Sequence, residues 1–188
     1  MGEASRRKKA QEENMRKMAY AALEDWSRPA SNWEQNLVKE IDKLPRVKVV
    51  REPDDRLLWM KMVPKKCHAN AGWYAENDPT GNSRMVTGWW QQDDKYLHHS
   101  VVATGAHYVC ITPMMVPAPQ TFEFIPDNKI KWRDEGEARI AWRNGQQIGP
   151  GLRANIELAI KQNAYVKARL DSGMDVIEAG DTVDFVMD

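Results

Sequence analysis

Cysteine is scarce in this chain of 188 residues: there are two, Cys67 and Cys110. Two thiols cannot build a disulfide framework, and their spacing is not that of a CxxC redox or zinc motif. No apolar run approaches the roughly eighteen residues of a membrane-spanning helix. The basic start is followed by no apolar h-region, which argues against a secretory signal. Neither sign of charge prevails, with 27 Lys and Arg against 27 Asp and Glu. A global field that would draw nucleic acid or an anionic membrane is therefore lacking. There is no internal repeat and no low-complexity tract. These absences make reduced cytoplasm the expected compartment, that of the host if the chain is viral.

What is present fits a protein that buries a core, with 42% hydrophobic and 29% charged residues. Eight tryptophans are many for this length. Several must be core, and others suit a groove or contact surface. Charge is concentrated at the ends. Arg6, Arg7, Lys8, Lys9, Arg16 and Lys17 open the chain, while Asp171, Asp175, Glu178, Asp181, Asp184 and Asp188 lie near its close. A solvated helix and a solvated tail account for this. Self-association through opposite ends, or a basic arm touching nucleic acid, are the alternatives.

The periodicity predicts a helix over 5–26, with Met15, Met18, Ala19, Ala22, Leu23 and Trp26 as its stripe. A second follows from Trp33 to about Leu44, stopped by Pro45. Val47–Val50 and Leu57–Val63 read as short strands around a Pro53-Asp54-Asp55 turn. Residues 67–77 read as a helix. Arg84–Gln92, Tyr96–Thr104 and His107–Thr112 then form a β-meander, with Gly88 marking a bulge or a close approach. Pro113, Pro117 and Pro119 make an extended crossing toward Phe122, Phe124 and Ile125. Edge strands are expected around Trp132 and Trp142, a helix over 152–170, and one more short strand in the tail. The fold class is α+β: a central, mostly antiparallel sheet with flanking N- and C-terminal helices. Residues 1–45 form an N-terminal helical extension and 46–188 a single α+β domain.

Every cysteine and histidine falls between residues 67 and 110: Cys67, His68, His98, His99, His107 and Cys110. Cys67 starts the predicted helix after Lys65 and Lys66. Helix-start N–H groups and two cations would lower its pKa and make it a nucleophile. His98 and His99 point to opposite faces of their strand, so one of them can face that helix. The Leu97/His99/Val101 face is the more apolar, which favours His99 as the base. Asn70, Cys110, Thr112 or Gln91 could orient the imidazole. His68 is expected at the helix start, and His107 at a loop or strand edge.

Cys67-His68-Ala69-Asn70, Gly88-Trp89, His99-Ser100-Val101-Val102 and Ile111-Thr112-Pro113 occur in this order. This resembles a family of uncharacterised bacterial and phage proteins with Cys-His-x-Asn, Gly-Trp, His-Ser-Val and Asp-x-Thr-Pro motifs. More distantly it is similar to the NlpC/P60, papain-like cysteine hydrolases. The likeness covers about residues 65–115, and it implies a papain- or NlpC-like core and thiol chemistry. Cys110 stands where the family pattern has Asp, which leaves a Cys67–His99 dyad without its carboxylate.

Two functions follow as expectations. One is a cysteine-dependent hydrolase or acyl transferase acting on an amide: a peptide, an isopeptide or a glutamine side chain. Cys67 would attack, His99 would move the proton, and the N–H of Cys67 or His68 would hold the oxyanion. The other is a non-enzymatic protein, plausibly phage-encoded, that binds a host protein through aromatic and charged surfaces. A Cys₂His₂ metal site from Cys67, His68, His99 and Cys110 lacks zinc-finger spacing, so neither metal nor cofactor is expected. The partner is expected to be a protein or peptide; neutral net charge argues against nucleic acid, and nothing points to a membrane. The oligomeric state is not set by the sequence.

Overall fold

A computed structural model describes residues 3–92, 94–114, 118–136, 138–149 and 151–181. The chain forms two compact units, Met1–Trp33 with Asn155–Asp188, and Glu34–Ala154. The boundary expected after residue 45 thus falls inside the second unit, and the C-terminal helix belongs to the first.

The first unit holds α1 (Glu3–Trp26), α5 (Ile156–Asp171) and α6 (Val176–Ala179). Arg16 of α1 donates to the carbonyls of Leu170, in the last turn of α5, and of Met174 just beyond it, where the negative end of the helix dipole favours a cation. Tyr20 donates to Asp171, which also accepts from Lys167. Asn155 caps α5 by accepting from the Leu158 N–H. The helix begins four residues later than expected. Val176-Ile177, expected as strand, begins a helix because Asp175 caps it. The other half of that expectation, 183–186, lies outside the described residues.

Among the described residues, the second unit contains α2 (Asn32–Ile41, apart from its first two residues), α3 (Asp54–Trp59), α4 (Cys67–Glu76) and nine strands. These are β1 (Val47–Arg51), β2 (Ser83–Gln92), β3 (Lys95–Thr104), β4 (His107–Cys110), β5 (Thr121–Pro126), β6 (Ile130–Glu135), β7 (Ala138–Arg143), β8 (Gln146–Gln147) and β9 (Gly151–Arg153). β2, β3 and β4 form the expected antiparallel meander. β2 also pairs with β5, β5 with β1, and β1 with β4 in parallel. The ring β1-β4-β3-β2-β5 therefore closes into a small mixed barrel, and β9 adds to the outer edge of β3. β6, β7 and β8 make a separate three-stranded sheet.

Alternation along the strands sends apolar residues to opposite faces of the barrel wall. Val49, Val86, Trp90, Val101, Ala103, Cys110, Phe122 and Phe124 fill the barrel interior. Val102 and Ile111 face outward, where Leu57 of α3, Met62 and Ala71 of α4 cover them. Gly88 allows the closure: a Cβ there would lie 2.1 Å from the Ile125 carbonyl oxygen. It marks a close approach, as its place inside a strand pattern implied.

The strand expected over Leu57–Val63 is replaced by α3. Pro53 precedes the helix, with Asp54 and Asp55 in its first turn, which is a helix-start signature rather than a turn. Residues 151–153 are strand β9 and not the start of the last helix.

Candidate functional site

α4 packs across β2 and β3, so its first residues meet the outward side of β3. That side carries His98 and Ser100, while His99 and Val101 point into the barrel. His68 Nδ1 lies 2.7 Å from Ser100 Oγ. Ser100 Oγ is 3.1 Å from Thr87 Oγ1, which accepts from Trp132 Nε1 at 3.3 Å. The His68 and His98 rings lie 4.4 Å apart, and both approach Trp132, at 4.8 and 5.5 Å. His98 Nε2 is buried without a hydrogen-bond partner. Burial holds both rings neutral, pushing His68 down to about 4 and His98 to about 3. His68–Ser100 has the distance of a base and its nucleophile, but Ser100 is 0% exposed. The contact is a partly buried hydrogen bond that joins α4 to β3.

His99 sits among Trp90, Phe122 and Phe124 inside the barrel. Its Nε2 lies 3.4 Å from Cys110 Sγ. Burial lowers its pKa to about 3, with the charge on His68 acting the same way. The expectation that His99 faces the Cys67 helix is therefore corrected: His98 and Ser100 take that side. The choice followed the more apolar face, and that face lines the barrel rather than the helix contact. No hydrogen bond joins Cys67 to His99.

Cys67 begins α4 in a half-buried position. Its pKa is raised, not lowered as expected. Burial is the largest cause, and the N–H groups of Ser100, His68 and Cys67 itself pull the other way without offsetting it. Lys65 and Lys66 do not act on it, because their side chains are out in water. Burial raises the Cys110 thiol as well. Both cysteines rest as thiols, Cys110 beside the neutral ring of His99.

Asn70 has a different task from orienting an imidazole. Its side-chain amide accepts from the Val63 N–H at 3.2 Å and donates to the Val63 carbonyl at 2.8 Å. It also donates to Thr112 Oγ1 at 3.4 Å. Asn70 and Thr112 thus pin the loop before α4 onto the barrel. Gln91 instead accepts from Arg46, and His107 is exposed at the start of β4. Trp89 and Trp90 are both buried, so neither walls a cleft. Trp89 Nε1 donates to Asp127, which also accepts from Arg143 Nε. A cleft of about 300 Å³, lined in part by Thr87, Asp127, Asn128 and Trp132, opens beside this network, and neither cysteine lines it.

The segment that Asn70 pins carries the surface feature sequence reasoning missed. Leu58 is 72% exposed, Trp59 80%, Val63 51% and Trp73 52%. The signal was available in Pro53-Asp54-Asp55. Once α3 is a helix, burying Leu57 turns Leu58 and Trp59 outward. Lys61 and Lys65 hold left-handed backbone, with φ of 56° and 62°. Non-glycine residues kept there cost about 1 kcal/mol or more, and such positions gather at functional surfaces. Among the described residues no group of three or more His, Cys, Asp or Glu could hold a metal ion. No helix among them is long and apolar enough to cross a membrane. Comparison with protein-family models, curated proteins and solved structures finds no match to this chain.

Proposed function

We propose that this chain is a non-enzymatic interaction protein, whose barrel unit binds another protein through the α3–α4 surface. The observation that carries it is the exposure of Leu58, Trp59 and Val63 within one short segment whose end Asn70 holds in place. A tryptophan exposed to 80% buries little of its surface within its own fold, whereas tryptophans dominate binding energy in interfaces. The raised thiols and the neutral, walled-in His99 support the same reading, because neither is poised for proton transfer.

A second reading rests on the His99–Cys110 contact. Cys110, which stands where the resembling family has Asp, lies 3.4 Å from His99 Nε2 through its Sγ. Cys67 would then attack an amide carbonyl, with its proton passing through His99 to the leaving amine. That needs His99 to turn from Cys110 toward Cys67 as substrate binds.

One pair of variants separates the two. Stoichiometric capture of a partner should survive Cys67→Ala and be lost in Trp59→Ala/Val63→Ser, with circular dichroism showing both folded. The opposite pattern, with Cys67 alkylated by iodoacetamide at neutral pH far faster than Cys110, would replace the binding reading by the thiol one.

A further inference from the structure

We infer that the α3–α4 surface docks an acidic, apolar segment of a partner protein; this rests on the interaction reading and names the chemistry of its ligand. Charge decides the occupant. Along residues 51–66, Arg51 pairs with Asp54 at 3.4 Å and Arg56 with Glu52 at 2.7 Å. Those four charges are spent within the chain. Lys61, Lys65 and Lys66 are exposed and make no ion pair among the described residues. They stand at the C-terminal end of the segment, beyond Leu58 and Trp59 and around Val63. Asp55, the remaining acid, lies at the opposite end in the first turn of α3. The surface thus runs from an acidic end through an apolar middle to a basic end. A complementary segment places Leu- or Phe-type side chains on Trp59 and Val63, and its carboxylates beside loop 61–66.

The surface is also built in advance of binding. Leu57 and Met62 are anchored under it, and Asn70 holds both backbone groups of Val63. A ligand therefore pays little for ordering the site. Single-stranded nucleic acid fits less well. It stacks bases on successive aromatic faces, and here the exposed neighbours of Trp59 in the segment, Leu58 and Val63, are aliphatic.

The test uses the full chain and fluorescence anisotropy with a short labelled peptide of Glu, Leu and Phe, patterned to be apolar on one helical face. Its Lys-for-Glu counterpart, oligo(dT), and phosphatidylcholine vesicles containing phosphatidylserine serve as rival probes. The acidic peptide should bind best, and weaken about tenfold on raising salt from low to above physiological strength. Trp59→Ala should weaken it about tenfold or more. Lys61→Glu/Lys65→Glu/Lys66→Glu, on an exposed loop that leaves the core intact, should reverse the preference toward the Lys peptide. Equal binding of both peptides, or binding of oligo(dT) or vesicles in preference to the acidic peptide, overturns the proposal. A natural partner that needs Trp59 but tolerates the lysine reversal leaves the interaction reading standing and removes only the acidic ligand. If neither Trp59→Ala nor the lysine reversal alters any binding, both fall.

Discussion

Asn70 decides the local structure of the candidate surface with one side-chain amide. It substitutes for a strand partner, accepting from and donating to the same residue, Val63. Asn70→Ala would leave a carbonyl, an N–H and Thr112 to find water in a site that is 5% exposed. We expect a loss of about 1–3 kcal/mol, read as a lower urea midpoint at unchanged slope. Partner capture should weaken in parallel, because loop 61–66 is no longer held. The residue stood out in the sequence as part of Cys-His-x-Asn, but its partner did not. Val63 is linked to Asn70 only by the reversal of chain direction between α3 and α4. Cys67 teaches the converse lesson. Its helix-start position was legible, yet the sign of its pKa shift came from burial against β3, which no local pattern reports.

The interface between α4 and β3 brings His68 against His98, and His99 lies just behind them within β3. All three have folded pKa values depressed to between about 3 and 4, against an unfolded value near 6.5. The unfolded chain therefore binds more protons once the pH drops below about 6.5. Stability should be full above that pH and fall progressively toward pH 4, by at most about 1.4 kcal/mol per group per pH unit. The thiols act at the other limit. Their folded pKa values are raised, so the stability they contribute is present below the unfolded value and is lost as pH rises through the folded one. Urea midpoints across this range should trace a plateau between about pH 6.5 and 8.5. His98→Phe should flatten the acid side. The meander itself was readable from three strand-like runs, Arg84–Gln92, Tyr96–Thr104 and His107–Thr112, in quick succession. The choice of which face meets α4 was not, because both faces are buried, one in the barrel and one under the helices.

In the molecule as a whole, every described strand, the barrel core and the cluster on its outer face lie within Glu34–Ala154. A unit with its own closed barrel and covered outer face has what independent folding needs. The fragment comprising residues 34–154 should unfold in one cooperative urea transition and keep the near-ultraviolet circular dichroism of buried Trp89 and Trp90. A gradual, featureless melt would show that the barrel depends on the helices of the other unit. Local reasoning could not find this division. The boundary read at Pro45 follows the switch there from helical to strand-like pattern, whereas the first unit is assembled from residues that are distant in sequence.

The sequence by itself determined the α+β class, the meander, the helix starting at Cys67, and the close approach at Gly88. Each of these is a matter of local period, turn chemistry or the space around one Cα. Only the tertiary structure decided that β1 and β4 pair in parallel to close a barrel. The same holds for His99 turning inward to Cys110, for the Cys67 thiol being held up rather than down, and for Leu58 and Trp59 being left in water. Those outcomes depend on which surfaces cover one another. Burial sets both the charge state of a side chain and its freedom to meet a partner.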